Sequence, residues 1–295
     1  MFAIPEDCQT DAWFEALKTF IDCVEPGWCQ NMNGVRQKEI NKLKKHYETV
    51  ALPKEYEIFL LNAGGKCFCF PYKLVSFAYY SVENMLILSH FWDDTLAIGS
   101  QNLDSEELCY LLSSSTPCNE APLVMTRYGE NIGIKIADSL RQYLCCQAFL
   151  AFGGQQFLLE YDYRIEPNHG LSSEELSCYT ADNENINQCS LADASFIVQS
   201  KKLQDILLKH GYREAWFSTP LDQVWIQQDS FCSISRDFDP DDIFDTVLGQ
   251  IYAHNWVAIQ SLIDDFVQIG YQCVLYTAPI DTPPQTPHPA RPGEV

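Results

Sequence analysis

Basic residues are scarce in this chain: 19 Lys and Arg stand against 40 Asp and Glu, a formal net charge of −21 over 295 residues. Such a field repels nucleic acid and anionic lipid, and it speeds encounter with a basic partner at low salt. On charge alone the plainer reading, that acidity keeps a protein in solution, is favoured. No apolar run approaches the ~18–20 residues needed to cross a bilayer, which speaks against a membrane-spanning helix. The opening MFAIPEDCQTDAW lacks both the basic start and the sustained apolar core of a signal peptide, so an unexported, cytoplasmic protein is expected. Also missing are GxSxG, HExxH, the P-loop and GxGxxG, and with them any discriminating spacing for a nucleophile, a catalytic metal or a cofactor loop.

Cysteine is plentiful, but disulfide signals are not. Thirteen cysteines are an odd number in a long chain without an export signal, which fits free thiols in a reducing compartment. Cys145 and Cys146 lie in the apolar run SLRQYLCCQAFLAF, where a thiol acts as a small hydrophobe. Cys67 and Cys69 alternate with Phe68 and Phe70 and would share one face of a strand. A structural zinc needs four ligands, and no second CxC, CxxC or HxH follows at ligand spacing, so neither metal nor cofactor is expected.

What the chain does have is size and apolar content. At 295 residues with 46% hydrophobic side chains it exceeds a single domain of about 100–150 residues and can bury a substantial core. Its acidity is uneven: residues 1–66 hold 8 Lys and Arg against 10 Asp and Glu, whereas residues 67–295 hold 11 against 30.

The stretch Gly34–Gly65, GVRQKEINKLKKHYETVALPKEYEIFLLNAGG, carries the strongest pattern. Ile40, Leu43 and Tyr47 recur on one helical face, with Arg36, Lys38, Lys42, Lys44 and Lys45 mostly elsewhere. Pro53 suits the first turn of a second helix, and Tyr56, Phe59 and Leu60 give it an apolar stripe. Gly64 is expected to close that helix in a left-handed conformation. The order Gly-Val, amphipathic helix, LPxxYxxFL and terminal GG resembles the SUKH superfamily, which includes a yeast cell-wall-synthesis regulator and many bacterial immunity proteins. The likeness is specific over about 32 residues and looser as far as Phe152, where APLVMTRYGENIGIKIADSLRQYL looks like the family's late strand pair and closing helix. Arg36 departs from the usual Ser or Thr cap, and Lys66-Cys67-Phe68-Cys69 departs from the family's more polar run.

Along the chain, an opening helix from about Asp11 to Cys23 is capped by Thr10 or Asp11 and presents Trp13, Phe14, Leu17, Phe20 and Ile21, with Pro26-Gly27 ending it. CFCFPY, LVSFAYY, MLILSHFW, TLAIGS, PLVMTRY and IGIKIA read as strands. Asp104–Leu112 also has helical spacing, through Leu108, Leu111 and Leu112. Asp138 or Ser139 caps a helix to Phe152, stopped by Gly153-Gly154. Beyond it, QQFLLEYDYRI, WFS, QVWIQ, FCSIS and YQCVLYT read as strands, Glu166–Ala192 as loop, and Lys201–His210 as a helix. Asp239-Pro240-Asp241-Asp242 reads as a helix start with Ile243, Val247 and Ile251 on one face, a break near His254-Asn255, and an end at Gly270. The expected fold is α+β: N-terminal helices packed on an antiparallel or mixed sheet (1–154), a second α+β region (155–278) and a proline-rich disordered tail (279–295).

Ser89-His90-Phe91-Trp92-Asp93-Asp94 sets a histidine beside two carboxylates, as a general base or an acidic epitope, although an ordinary strand and turn explain it better. His254 reads as a cap or packed histidine, His169 as a turn residue, and the basic helix as a solvated face. The SUKH resemblance implies a non-catalytic binding protein, an immunity protein that occludes a cognate toxin, possible toxins including basic nucleases. Contacts are expected at Trp92, Asp93, Asp94, Glu106 and Glu107, carboxylates that steer beside an aromatic that anchors. The alternatives are an intracellular regulatory scaffold with a cellular protein partner, favoured slightly by the tail, and a hydrolytic enzyme in the C-terminal region.

Overall fold

The computed structural model of the protein describes residues 4–47, 52–65, 69–70, 75–77, 82–87, 91–92, 95–101, 106–112, 120–127, 134–157, 159–165, 191–237 and 246–277. The proline-rich tail, the segment 166–190 and Asp239–Asp242 lie outside them. The chain forms an α+β structure of two units, one of Met1–Gln155 with Ala215–Gln223 and one of Gln156–Glu214 with Val224–Val295.

In the first unit, α1 (Trp13–Val24) buries all five residues of its expected face. Its cap is Ala12, not Thr10 or Asp11. The Thr10 hydroxyl accepts the Ala12 N–H at 3.2 Å and donates to the Asp7 carbonyl at 2.7 Å, so it closes the turn leading into the helix. α2 (Gln37–His46) has Arg36 at its cap. A guanidinium has no acceptor for the free amides of a first turn. Glu39 instead reaches back to take the Arg36 N–H at 2.8 Å, and its other oxygen takes the guanidinium, also at 2.8 Å. α3 (Lys54–Ala63) starts one position later than expected, because Pro53 is its cap and accepts the first amide, Tyr56 N–H, at 3.0 Å.

The glycines that bracket this stretch do something other than turn left-handed. Gly64 is right-handed (φ −71°), and its N–H extends the helical ladder to Leu60. Gly34 lies against the end of α3, where a Cβ would stand 1.5 Å from the Leu61 carbonyl oxygen. That closeness lets Val35 N–H reach the Leu60 carbonyl at 2.9 Å and Gly65 N–H the Asn33 carbonyl at 2.8 Å, so the two ends of the stretch are stitched together.

The first sheet runs in the order β1 (Cys69–Phe70), β2 (Val75–Ser76), β4 (Thr95–Gln101), β5 (Glu106–Leu111), β6 (Leu123–Arg127), β7 (Ile134–Ala137), with β3 (Phe91–Trp92) also paired to β4, and all these pairings are antiparallel. Two expectations give way. MLILSHFW begins in a helix, α4 (Val82–Ile87), and two tyrosines converge on its Met85: Tyr47 Oη donates to the carbonyl at 3.2 Å and Tyr56 Oη to the sulfur at 3.1 Å. Residues 106–111 are a strand, not a helix. Leu108, Cys109 and Tyr110 are buried in succession, as in a central strand covered on both faces, and such a run carries no clean period of two.

α5 (Leu140–Phe152) is capped by Ser139, whose side chain accepts the Gln142 N–H at 3.2 Å. It is apolar nearly all round and buried nearly all round. Phe20 of α1 stacks on its Phe149 at 6.3 Å. Residues 215–223 cover more of it: Phe217 meets Phe149 at 5.1 Å, the Ser218 carbonyl accepts Gln142 Nε2 at 2.5 Å, and the Asp222 carbonyl accepts the Cys146 thiol at 3.4 Å. WFS, expected as a strand, belongs to this segment and forms a turn closed by Ser218 N–H to Ala215 O.

The second unit is a sheet in the order β13 (Tyr271–Thr277), β8 (Leu159–Ile165), β12 (Thr246–Ala253), β11 (Ser230–Asp237), β10 (Asp222–Gln227), β9 (Arg213–Glu214). Two helices, α6 (Leu191–Lys209) and α7 (Gln260–Gln268), share a core with it through Leu203, Leu207, Leu262, Ile263 and Phe266. α6 starts ten residues before the expected Lys201. Residues 246–253 are a strand where a helix was expected: Val247 and Ile251 lie four apart, a spacing that serves a period of two as well as 3.6, and the long ladders to β11 and β8 decide between them. Gly270 ends α7 with φ +99°, as its position implied.

Gly34→Ala should lower unfolding stability in urea by about 1–3 kcal/mol or more, the cost of forcing a methyl into a filled space. Ala substitution at exposed Lys38 on the neighbouring helix should change it by less than about 0.5 kcal/mol.

Candidate functional site

Of the five expected contact residues, Trp92, Glu106 and Glu107 lie in one system of antiparallel strands, but not at one place. Trp92 pairs with Thr95, while Asp93 and Asp94 fall outside the described residues. Glu106 pairs with Gln101 and Glu107 with Ser100, at the opposite end of β4. At about 3.3 Å per residue the two groups stand roughly 17–20 Å apart. The register therefore separates Trp92 from the glutamates. Glu107 is half-buried, and Glu106 pairs on its other side with Arg127.

A hydrolytic centre would join a histidine to a carboxylate and a nucleophile. Among the described residues one histidine–carboxylate bond occurs, in the second unit: Asp265 Oδ2 receives His210 Nε2 at 2.9 Å and Lys209 Nζ at 2.8 Å. Hydrogen bonds from Lys209 and then His210 hold the Asp265 carboxyl below its usual range. The chemistry is that of a clamp between the end of α6 and α7, since among the described residues no nucleophile is hydrogen-bonded to the ring. His254 is exposed, and its ring packs by stacking on Phe157 with centroids 4.6 Å apart. His90 and His169 lie outside the described residues. Three of the described thiols are poor nucleophiles: burial pushes Cys29, Cys109 and Cys273 up to about 12, with Asp22 adding to the effect at Cys29. No group of three or more His, Cys, Asp or Glu side chains forms a metal cage among the described residues.

No local pattern in the sequence pointed to Glu55, a carboxylate that the structure buries in the first unit. It is 3% exposed. One carboxylate oxygen accepts Tyr110 Oη at 3.2 Å and the Leu140 N–H at 2.9 Å, and the other accepts the Arg141 N–H at 3.3 Å. A residue of α3 thus serves the first turn of α5, where free amides and the helix dipole favour negative charge. Beside it Arg141 bonds Glu120 and, through Nη1, the Gln9 carbonyl at 2.9 Å. Burial raises the Glu55 carboxyl to about 7; the two amides and Tyr110 pull it down, and the Glu120 charge adds to the rise. Every oxygen is occupied by a fixed donor, so the arrangement holds the fold and leaves no acceptor facing a substrate. The only local signal was a glutamate, Glu55, on the buried side of a stripe containing Tyr56, Phe59 and Leu60.

No family model, no characterised protein sequence and no solved structure matches the chain. Among the described residues no helix is long and apolar enough to cross a membrane.

Glu55 makes stability depend on pH with an unusual sign for a carboxylate. Its folded value near 7 lies above the ordinary 4.5, so its contribution is complete below about 4.5 and is lost as pH rises through 7. Relative to Glu55→Gln, the wild type should lose roughly 2–4 kcal/mol between pH 5 and 8 in urea titrations. A gap that stays constant with pH would show that the carboxyl does not titrate there.

Proposed function

We propose that the protein is a non-catalytic binding protein of the SUKH type, an immunity protein that neutralises a cognate toxin by occlusion. The observation that carries this reading is the Gly34–Gly65 stretch. Its Gly-Val start, LPxxYxxFL helix and terminal glycine pair form one stitched unit of two helices, with Tyr56, Phe59 and Leu60 spent on the core. Residues so used carry fold and leave the surface to do the recognition.

Charge supports the partner's nature. The surplus of 30 Asp and Glu over 11 Lys and Arg after residue 66 suits a basic protein such as a nuclease, since unlike charges raise the encounter rate and exclude wrong partners. Trp92, Asp93 and Asp94 at one end of the hairpin and Glu106 and Glu107 at the other would then be two ends of one contact area. A standard interface of about 800 Å² per partner is wide enough to take in both.

Co-expression with the product of an adjacent toxin gene tests the proposal. Growth rescue and a co-purifying complex are expected; toxicity without complex formation would remove its support and turn attention to the regulatory scaffold. Within such a complex, Trp92→Ala should weaken affinity by about thirtyfold or more, acting on dissociation. The double change Glu106→Gln and Glu107→Gln should mainly slow association at low salt, as stopped-flow rates would record.

A further inference from the structure

The structure sorts the cations of α2 into two kinds. Arg36, just ahead of the helix, is paired with Glu39, the only carboxylate α2 contains. Lys44 is paired with Glu57 of α3 at 2.5 Å. Lys38, Lys42 and Lys45 are exposed, and among the described residues none of the three forms an ion pair. Glu83 of α4, the helix packed beside α2, is also exposed and is paired with none of them. At 100° per residue, positions 38, 42 and 45 gather within an arc of about 60°, opposite the buried Ile40 and Leu43, and the row is about 10.5 Å long. It is a short cationic ridge on a chain of net charge −21.

We propose that this ridge docks a short acidic segment of a protein partner, with carboxylates spaced to meet lysines on successive turns. The size and surroundings of the ridge choose this occupant over other anions. A nucleic acid carries its charge far beyond 10.5 Å and would run into the acidic remainder of the chain. Stacking offers little, because Tyr47 is buried with its hydroxyl bonded to Met85, and the exposed ring of His46 is engaged edge-on by Tyr47 at 4.9 Å. An anionic membrane meets the same repulsion, and the lysine face has no apolar side chain to insert. A second copy brings another −21 with it. A compact acidic peptide needs only local contact, and at physiological salt the wider negative field is screened beyond about 8 Å while the ridge is not. The surface is distinct from the acidic one assigned to a toxin, and it has the opposite sign.

Fluorescence anisotropy of the full chain at 0.15 M salt, with a fluorescein-labelled tetraglutamate peptide that spans about 13 Å when extended, tests this directly. Saturable binding is expected, weakened by about threefold to a hundredfold in the triple variant Lys38→Gln, Lys42→Gln, Lys45→Gln. Circular dichroism and the urea midpoint of that variant should match the wild type, because all three side chains are exposed. Absence of peptide binding, a loss below about threefold, or tighter binding of a labelled 20-nucleotide single strand than of tetraglutamate would overturn the proposal.

Discussion

Glu55 carries a carboxylate into the interior of the first unit, and three elements meet on it: its own helix α3, strand β5 through Tyr110, and the first turn of α5 through the Leu140 and Arg141 amides. An unpaired buried carboxylate would be costly, and unpaired amides at a buried helix end would be costly too. Pairing them lowers both costs, although burial still outweighs the donors and leaves the carboxyl raised to about 7, so the position of α5 is set by a bond and not by apolar packing alone. That matters because α5 is apolar on nearly every side and has no preferred face of its own. A greasy cylinder can rotate or slide among similar contacts; a carboxylate at its N-terminus fixes where it begins.

Much of the unit follows from that placement. With α5 fixed, Phe149 takes Phe20 on one side and Phe217 on another, and Cys146 and Gln142 find carbonyls in residues 215–223. A segment from late in the chain thereby completes a unit formed mostly by the first 155 residues. At the other end of α3, the absence of a side chain at Gly34 lets the chain before α2 lie on the Leu60–Leu61 carbonyls. α3 is thus tied at its start by Glu55 and at its finish by backbone bonds, and the charged surfaces of the unit are displayed on a frame that polar contacts, not only packing, hold in register.

Function in this reading belongs to those surfaces. Glu55 is satisfied by Tyr110 and two backbone amides, burial suppresses the thiols of Cys29, Cys109 and Cys273, and the His210–Asp265 pair is closed by Lys209. What faces outward is charge of two signs, a prevailing acidity and a lysine ridge on α2. Recognition by such a protein depends on the spacing of charges along rigid elements, and that spacing is given by the helix repeat at positions 38, 42 and 45 and by the strand register between Thr95 and Gln101.

The sequence by itself determined the elements whose signals are local. The face of α1, the two helices of the Gly34–Gly65 stretch, the Ser139 cap and the end of α7 at Gly270 all follow from side-chain periodicity or from one residue's conformational preference. The α+β class was legible for the same reason. Tertiary structure decided everything for which two local answers were equally good. Val247 and Ile251 fit a helix or a strand until β8 and β11 supplied ladders on both sides; Met85–Ile87 read as the start of a strand and lie in a helix; Leu108–Tyr110 lost its alternation by being buried on both faces. The register of β4, which parts Trp92 from Glu106 and Glu107, was hidden because pairing depends on a strand's neighbours, not on its composition. Glu55 was hidden for the plainest reason: its partners lie 55, 85 and 86 residues away, and no local pattern records which distant amides a carboxylate will meet.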